Sequence, residues 1–334
     1  MGALNGNTWG AAQIGVFATF QFLILVVCTL RLWTRRISNV ELALNDYLIL
    51  SALFFTSAIG ACSVISVVLG GAGRHMNTVN AENILVLNKL FIAGACLWAL
   101  ANTSVKLSML HLYVTIFPSA RFKLFAKAIA GFTLCYCLTI LLETFLLCRP
   151  FRYNWDKSIN GYCANEQLAY LTAGIINLLL DVAIIVLPLP ILWKLQMALT
   201  KKFGIAFMLS IGVFICVITI LRLTSIRRLD FSNFSYTAAE VEIWSILEPY
   251  LGIINACIPV MQPAVRRMFR ARHPVSRSQT KNSHPSLPTI GGSGGTSKND
   301  KRNFRRLHDV SYELQSIDRT GDEVTTVRQD EPEG

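Results

Sequence analysis

The chain has 334 residues, 53% of them hydrophobic and only 15% charged, with a formal net charge of +11. Soluble domains carry about 25% charged residues, and here much of the charge is crowded into the last part of the chain; with a mean hydropathy of +0.46, a soluble globular fold is excluded and a polytopic membrane protein is expected. The basic excess does not mark a nucleic-acid binder, because Lys and Arg stand in short clusters between apolar runs and no nucleic-acid motif accompanies them.

A hydrocarbon core about 30 Å thick needs about 20 apolar residues in a helix. Seven runs reach that length: 11–32, 46–69, 87–117, 126–147, 168–193, 203–226 and 241–261. The fold class is therefore all-α, a bundle of seven transmembrane helices. No basic region precedes the first run, so it is expected to remain as a span and not to be removed as a signal peptide. Residues 1–10 then form a short extracellular N-terminus and 11–270 the membrane domain. Residues 271–334 are rich in Ser, Gly, Pro and Lys with little to bury, and are expected to be a disordered cytosolic tail. The basic cluster ahead of that tail reads first as a stop-transfer signal and second as a contact with anionic lipid.

Orientation follows from the short connections. One set holds Arg35, Arg36, Arg121, Lys123, Lys127, Lys194, Lys201, Lys202, Arg266, Arg267, Arg270 and Arg272. The other holds Arg74, Arg149, Arg152, Lys157, Arg227 and Arg228, diluted by Glu82, Asp156, Glu166, Asp230, Glu240 and Glu242. The positive-inside rule places the first set in the cytosol. The N-terminus is then outside and the C-terminus cytosolic.

Nine cysteines are present, seven of them inside apolar runs, where Cys acts as a small hydrophobe. Cys148 and Cys163 lie in the connection between the fourth and fifth runs, on the expected oxidising side, and a local disulfide is expected. The competing pairing, to the outer end of the third run, finds no cysteine there, since Cys96 is about two turns inside. No Cys/His spacing points to zinc. Asn233, in "NFS", is a glycosylation acceptor pattern on the same outer side, close to the membrane.

Ionisable groups within the bilayer are costly and are usually paired or functional. Counted from the outer boundary, Asp181 lies about 20 Å down the fifth run and Lys106 about 24 Å down the third. Asn177 and Asn102 each sit one turn above on the same face. Two readings are open: a Lys106–Asp181 ion pair between facing Asn102/Lys106 and Asn177/Asp181 surfaces, or Lys106 snorkelling to the headgroups with Asp181 protonated or hydrogen-bonded to Asn. A second, outer layer holds Glu143, Arg222 and Glu248, with Arg222 and Glu248 the first pair to expect. Pro188, Pro190, Pro249 and Pro259 interrupt runs, which is tolerated where the backbone faces protein or a wet cavity. The polar interior is either interhelical glue or the lining of an outward-opening pocket.

The segments "LALNDYLIL", "GGAGRH", "KLSMLHLYVTIFP", "CRPFRYNWDKSINGYC", "NLLLDVAIIVLPLPILWKLQM", "KKFGIAFMLSIGVFICVITILR" and "EIWSILEPYLGIINACIPVMQP" occur in that order. Together, over about 13–270, they resemble the fungal rhodopsin-domain family of integral membrane proteins. The resemblance implies a seven-span protein likened to G-protein-coupled receptors. Some members are placed in host-surface sensing, and others, of the satratoxin-cluster type, stand beside genes of secondary metabolism. It marks Asp46, Gly73, Lys106, Trp155, Asp181, Arg222 and Glu248 as motif positions, and it matches Cys148 and Cys163 to the family's paired loop cysteines. Members with an extra cysteine-rich extracellular domain exist; with the short N-terminus here, none is expected.

Light sensing does not follow. A retinal Schiff base needs a lysine in the last span, and 241–261 has none. The third run ends in "LHLYVTIF", without an Asp-Arg-Tyr triplet, and the seventh in "PVMQP". Coupling to a G protein thus has no activation motif behind it. The expected partners are the lipid bilayer and a small-molecule ligand, with no nucleic acid and no cofactor. The membrane is the plasma membrane or an endomembrane. Two functions compete: a receptor-like protein binding a small lipophilic or extracellular ligand among its helices, and an intramembrane enzyme, an acid-assisted cyclase or isomerase using Glu143, Asp181 or Glu248 on a hydrophobic intermediate. With no nucleophile triad, metal site, phosphate loop or cofactor motif, the sequence leans away from an enzyme. A transporter would call for internal repeats and paired broken helices, and neither is visible.

Overall fold

A computed structural model describes residues 7–117, 119–194 and 199–272. Most of the tail expected at 271–334, from 273 onward, lies outside the described residues, as does 1–6. The described helices are α1 (Thr8–Ile37), α2 (Leu44–Val68), α3 (Ala81–Ile116), α4 (Ala120–Leu146), α5 (Glu166–Val186), α6 (Leu189–Lys194), α7 (Leu199–Arg227) and α8 (Phe234–Arg272). They supply seven spans long and apolar enough to cross a membrane, with α5 and the start of α6 together forming the fifth, Glu166–Ile191.

Lipid offers the backbone no hydrogen bonds, so each apolar run must satisfy its own amides as a helix. The helices run past the apolar stretches because hydropathy marks only the part in oil. α3 begins at Ala81, ahead of 87, and α8 at Phe234, ahead of 241. Glu240, counted in the sequence with the connections, therefore lies inside α8 along with Glu242. Pro249, Pro259 and Pro263 leave α8 unbroken, whereas Pro188 and Pro190 part α5 from α6. Phe22, Phe54, Leu124 and Phe132 point outward and are each about 70% exposed, which makes a belt for acyl chains.

Neighbour contacts close a ring in the order α1–α2–α3–α4–α5–α7–α8–α1. α3 also touches α5 and α8, so it stands at the centre of the bundle. At one end, the α2–α3 connection is pinned to the starts of α1 and α8. Asn7 donates to the Ala72 carbonyl at 2.8 Å, and the Gly73 amide donates to the Ser235 carbonyl at 2.8 Å. Gly73 has φ +84°, and a Cβ there would lie 2.5 Å from Asn7 Oδ1. Only glycine meets both demands.

The same end carries a short antiparallel ribbon, β1 (Cys148–Arg149) and β2 (Tyr162–Cys163), with Cys148 opposite Cys163 and a disulfide between them. The expected local pairing is the one formed. Beside it, Lys157 bridges to Glu166 at 2.9 Å and lies 4.7 Å from the centre of the Tyr153 ring. Closing a loop of 15 residues stabilises by about 3 kcal/mol. Replacing both cysteines by serine is expected to lower the unfolding midpoint in detergent accordingly, with a matching drop when the wild type is reduced.

In the connections at this end, Asp156 is held below the usual carboxylate range by the Ser158 backbone amide and by Arg152, and Asp230 by the Ser232 hydroxyl and amide. Their contribution to stability is present above the ordinary carboxylate pKa and fades as pH falls. Asn233 already uses its amide: Oδ1 accepts from the Met76 amide at 3.1 Å and Nδ2 lies 2.9 Å from His75 Nδ1. Ser235, two residues on, is buried and donates to the Gly71 carbonyl at 2.8 Å. A glycan on Asn233 would have to form at the expense of its tie to His75.

Candidate functional site

The polar face of α3 repeats every four residues: Trp98, Asn102 and Lys106. α5 presents Asn177 and Asp181 toward it, and α7 and α8 bring Arg222 and Glu248. Lys106 pairs directly with Asp181, its ammonium also donating to the Asn177 carbonyl at 3.4 Å. The Asn177 amide donates to Asp181 Oδ2 at 3.3 Å and to Glu248 Oε1 at 2.7 Å. Arg222 Nη1 lies 3.6 Å from Glu248 Oε2, and its guanidinium sits 4.1 Å from the centre of the Trp98 ring. With the Asn102 amide turned as its neighbours require, its nitrogen donates to Glu248 Oε1 at 3.1 Å and its oxygen accepts from Trp98 Nε1 at 2.7 Å.

Six of the sequence-selected residues (Asn102, Lys106, Asn177, Asp181, Arg222 and Glu248) therefore belong to one network. The deep and outer layers read from the sequence are a single layer, because Glu248 reaches Asn177 as well as Arg222. Of the two readings of Lys106, the ion pair is the one formed, and the lysine does not snorkel to headgroups. Every charge in this network meets an opposite one, which is the condition for holding such groups in a low dielectric.

Glu143 stands apart. Its Oε1 is buried and has no hydrogen-bond partner among the described residues. It lines a cavity of about 130 Å³ that is otherwise mostly apolar, with walls from Leu90, Gly94, Ile140, Ala173 and Val241 and a floor of Trp98 and Arg222. Glu242 also borders the cavity, on the side of Gln13, Ser63 and Ser66 of α1 and α2. Phe91, Ile92, Asn154 and Tyr170 line both this cavity and a wider mouth of about 650 Å³ beneath the disulfide ribbon. The two spaces adjoin, with these four residues as their common wall, and Trp98 and Arg222 border the inner one.

A second buried cluster lies at the opposite end. Arg31, 1% exposed, reaches Asp46 with Nε at 2.9 Å and Nη2 at 2.8 Å, and its Nη1 donates to the Ala256 carbonyl at 2.7 Å. Asp46 Oδ2 also accepts from the Ala43 amide at 2.9 Å, capping the start of α2, and lies 3.2 Å from Arg35 Nε. One side chain thereby ties α1 to α2 and α8. The sequence reading missed this role and did not single out Arg31. The available signal was Asp46, a lone acid at the very start of an apolar run. Trp98 was also missed, although its spacing of four from Asn102 put it on the polar face.

Comparison with known proteins agrees with this architecture. The fungal rhodopsin domain matches residues 30–267, more than half of the chain. A SAT4 family membrane protein of Emericella nidulans is 31% identical over 64% of this chain, and the match spans only 55% of that relative. Receptor GIN3 of Arthrobotrys oligospora is 21% identical over 75% of this chain and 61% of its own. Satratoxin biosynthesis SC1 cluster protein 4 of Stachybotrys chartarum is 25% identical over 63% of this chain and 78% of its own. With its seven spans, this chain is a multi-pass membrane protein that belongs to the fungal rhodopsin domain family.

Proposed function

We propose that this protein is receptor-like and binds a small lipophilic or extracellular ligand in the cavity between α3, α4, α5, α7 and α8, with its amino end outside and its carboxyl end in the cytosol. The observation that carries the reading is the cavity itself: an apolar space with a few polar groups, beside a wider mouth under the disulfide ribbon, the usual form of a small-molecule site. The orientation is supported by the disulfide at one end and the denser Lys and Arg clusters at the other. The name of the Arthrobotrys oligospora relative, a receptor, agrees with it. No retinal enters the reading, because α8 carries no lysine.

Gly94 provides the test. A Cβ added there meets nothing within 4 Å, and Gly94 lines the cavity, so Gly94→Leu should fill that space with its added methyl groups. Protein purified from its native membranes and then denatured should release a small molecule detectable by mass spectrometry. The Gly94→Leu protein should release at least about tenfold less at equal folded yield. Equal release from both would remove the cavity as the site.

The enzyme alternative is narrowed by the same geometry. Asp181 and Glu248 are committed to Lys106 and Arg222, which leaves Glu143 as the one acid of the three free to move a proton. The relatives named for biosynthesis clusters keep this reading in play. It calls for a stalled intermediate in a deletion strain that wild type clears and Glu143→Gln does not.

A further inference from the structure

We propose that the ligand is a small amine: an apolar or aromatic end seated on the Trp98 floor, with a protonated nitrogen held by Glu143. This rests on the binding reading above and adds the chemistry of the occupant.

The first ground is charge. Asp181 and Glu248 face Lys106 and Arg222, whereas Glu242 lies on the far side of the cavity from α4, toward the neutral side chains of Gln13, Ser63 and Ser66. Glu143 lines the cavity without an ion pair among the described residues, and its Oε1, itself closed off, has no hydrogen-bond partner. A half-buried carboxylate beside an apolar cavity and without a counter-charge is costly to ionise, and an occupant that supplies a cation or a strong donor to it lowers that cost. An anionic ligand would add to it.

The second ground is position. Glu143 lies one turn from the ribbon end of α4, near where mouth and cavity meet, with Asn154 of the roof donating to the neighbouring Thr144 carbonyl at 3.2 Å. Phe91 and Tyr170 line both spaces, their ring centres 6.1 Å apart, and offer π faces of the kind that favour a passing cation. The third ground is size. A cavity of about 130 Å³ approaches the ~150 Å³ that accommodates benzene. The buried end is therefore a group of about six or seven heavy atoms, and any larger remainder lies in the mouth.

The probes are benzylamine, benzyl alcohol and benzoate, radiolabelled and bound to the full chain in lipid nanodiscs, with empty nanodiscs subtracted. Wild type should bind benzylamine at least about tenfold more tightly than benzyl alcohol, and benzoate least of all. Glu143→Gln should weaken benzylamine by about the same factor and leave benzyl alcohol unchanged, and Gly94→Leu should lose both. If wild type binds benzylamine and benzyl alcohol equally, the amine assignment falls while the cavity reading stands. If Gly94→Leu binds as wild type does, both fall. The wild-type ratio decides the amine question even if Glu143→Gln does not accumulate.

Discussion

Lys106→Met is expected to destabilise the bundle by about 3–5 kcal/mol, a loss large enough to appear as poor accumulation and a much lower unfolding midpoint. The reason lies in what remains. Lys106 is 4% exposed at its side chain, and Asp181, 13% exposed, would be left inside the bundle with only the Asn177 amide for company. The partner change, Asp181→Leu, is expected to be damaging for the reciprocal reason. The double replacement, Lys106→Met with Asp181→Leu, should recover most of the lost stability, because an apolar pair of similar volume has no desolvation cost to offset. Additive losses in the double variant would show that the two side chains do not act on each other, and the network would then have to be redrawn.

Arg31→Met is the second large effect, expected at about 3 kcal/mol or more. It takes the main partner from Asp46 and the donor from the Ala256 carbonyl, loosening α1 from both α2 and α8. Arg35→Met makes the informative contrast. Arg35 also touches Asp46, but its side chain is 17% exposed, and it should cost no more than about 1 kcal/mol. Thermal unfolding of the two variants in the same detergent tests the order. Equal losses would mean that the Asp46 carboxylate is served by general positive charge and not by the geometry of Arg31.

The number of spans was legible in the sequence because hydrocarbon imposes a minimum length on each apolar run. Their ends were not, since helices continue into the interface where hydropathy no longer reports them; Glu240 was placed ahead of the last span for that reason. Counting rise per residue sufficed to bring Lys106 to the depth of Asp181, because straight helices keep depth in register. It failed to merge the two polar layers, as the reach of Glu248 to Asn177 depends on how α8 leans on α3 and α5. Arg31 escaped notice because a cation near a span end looks the same whether it turns outward to headgroups or inward to an acid. The isolation of Glu143 was equally invisible: the sequence supplied the carboxylate, while the lack of a partner is a property of packing.

The central network has one further consequence. Lys106 with Asp181 and Arg222 with Glu248 make two cations and two anions, so the assembly carries no net charge. A transmembrane voltage does work of about 2.3 kcal/mol per elementary charge per 100 mV, but only on charge that moves unbalanced. Rearrangements that carry these four groups together cross the electric field without that work, so this part of the bundle is built to ignore the potential of the membrane in which it sits.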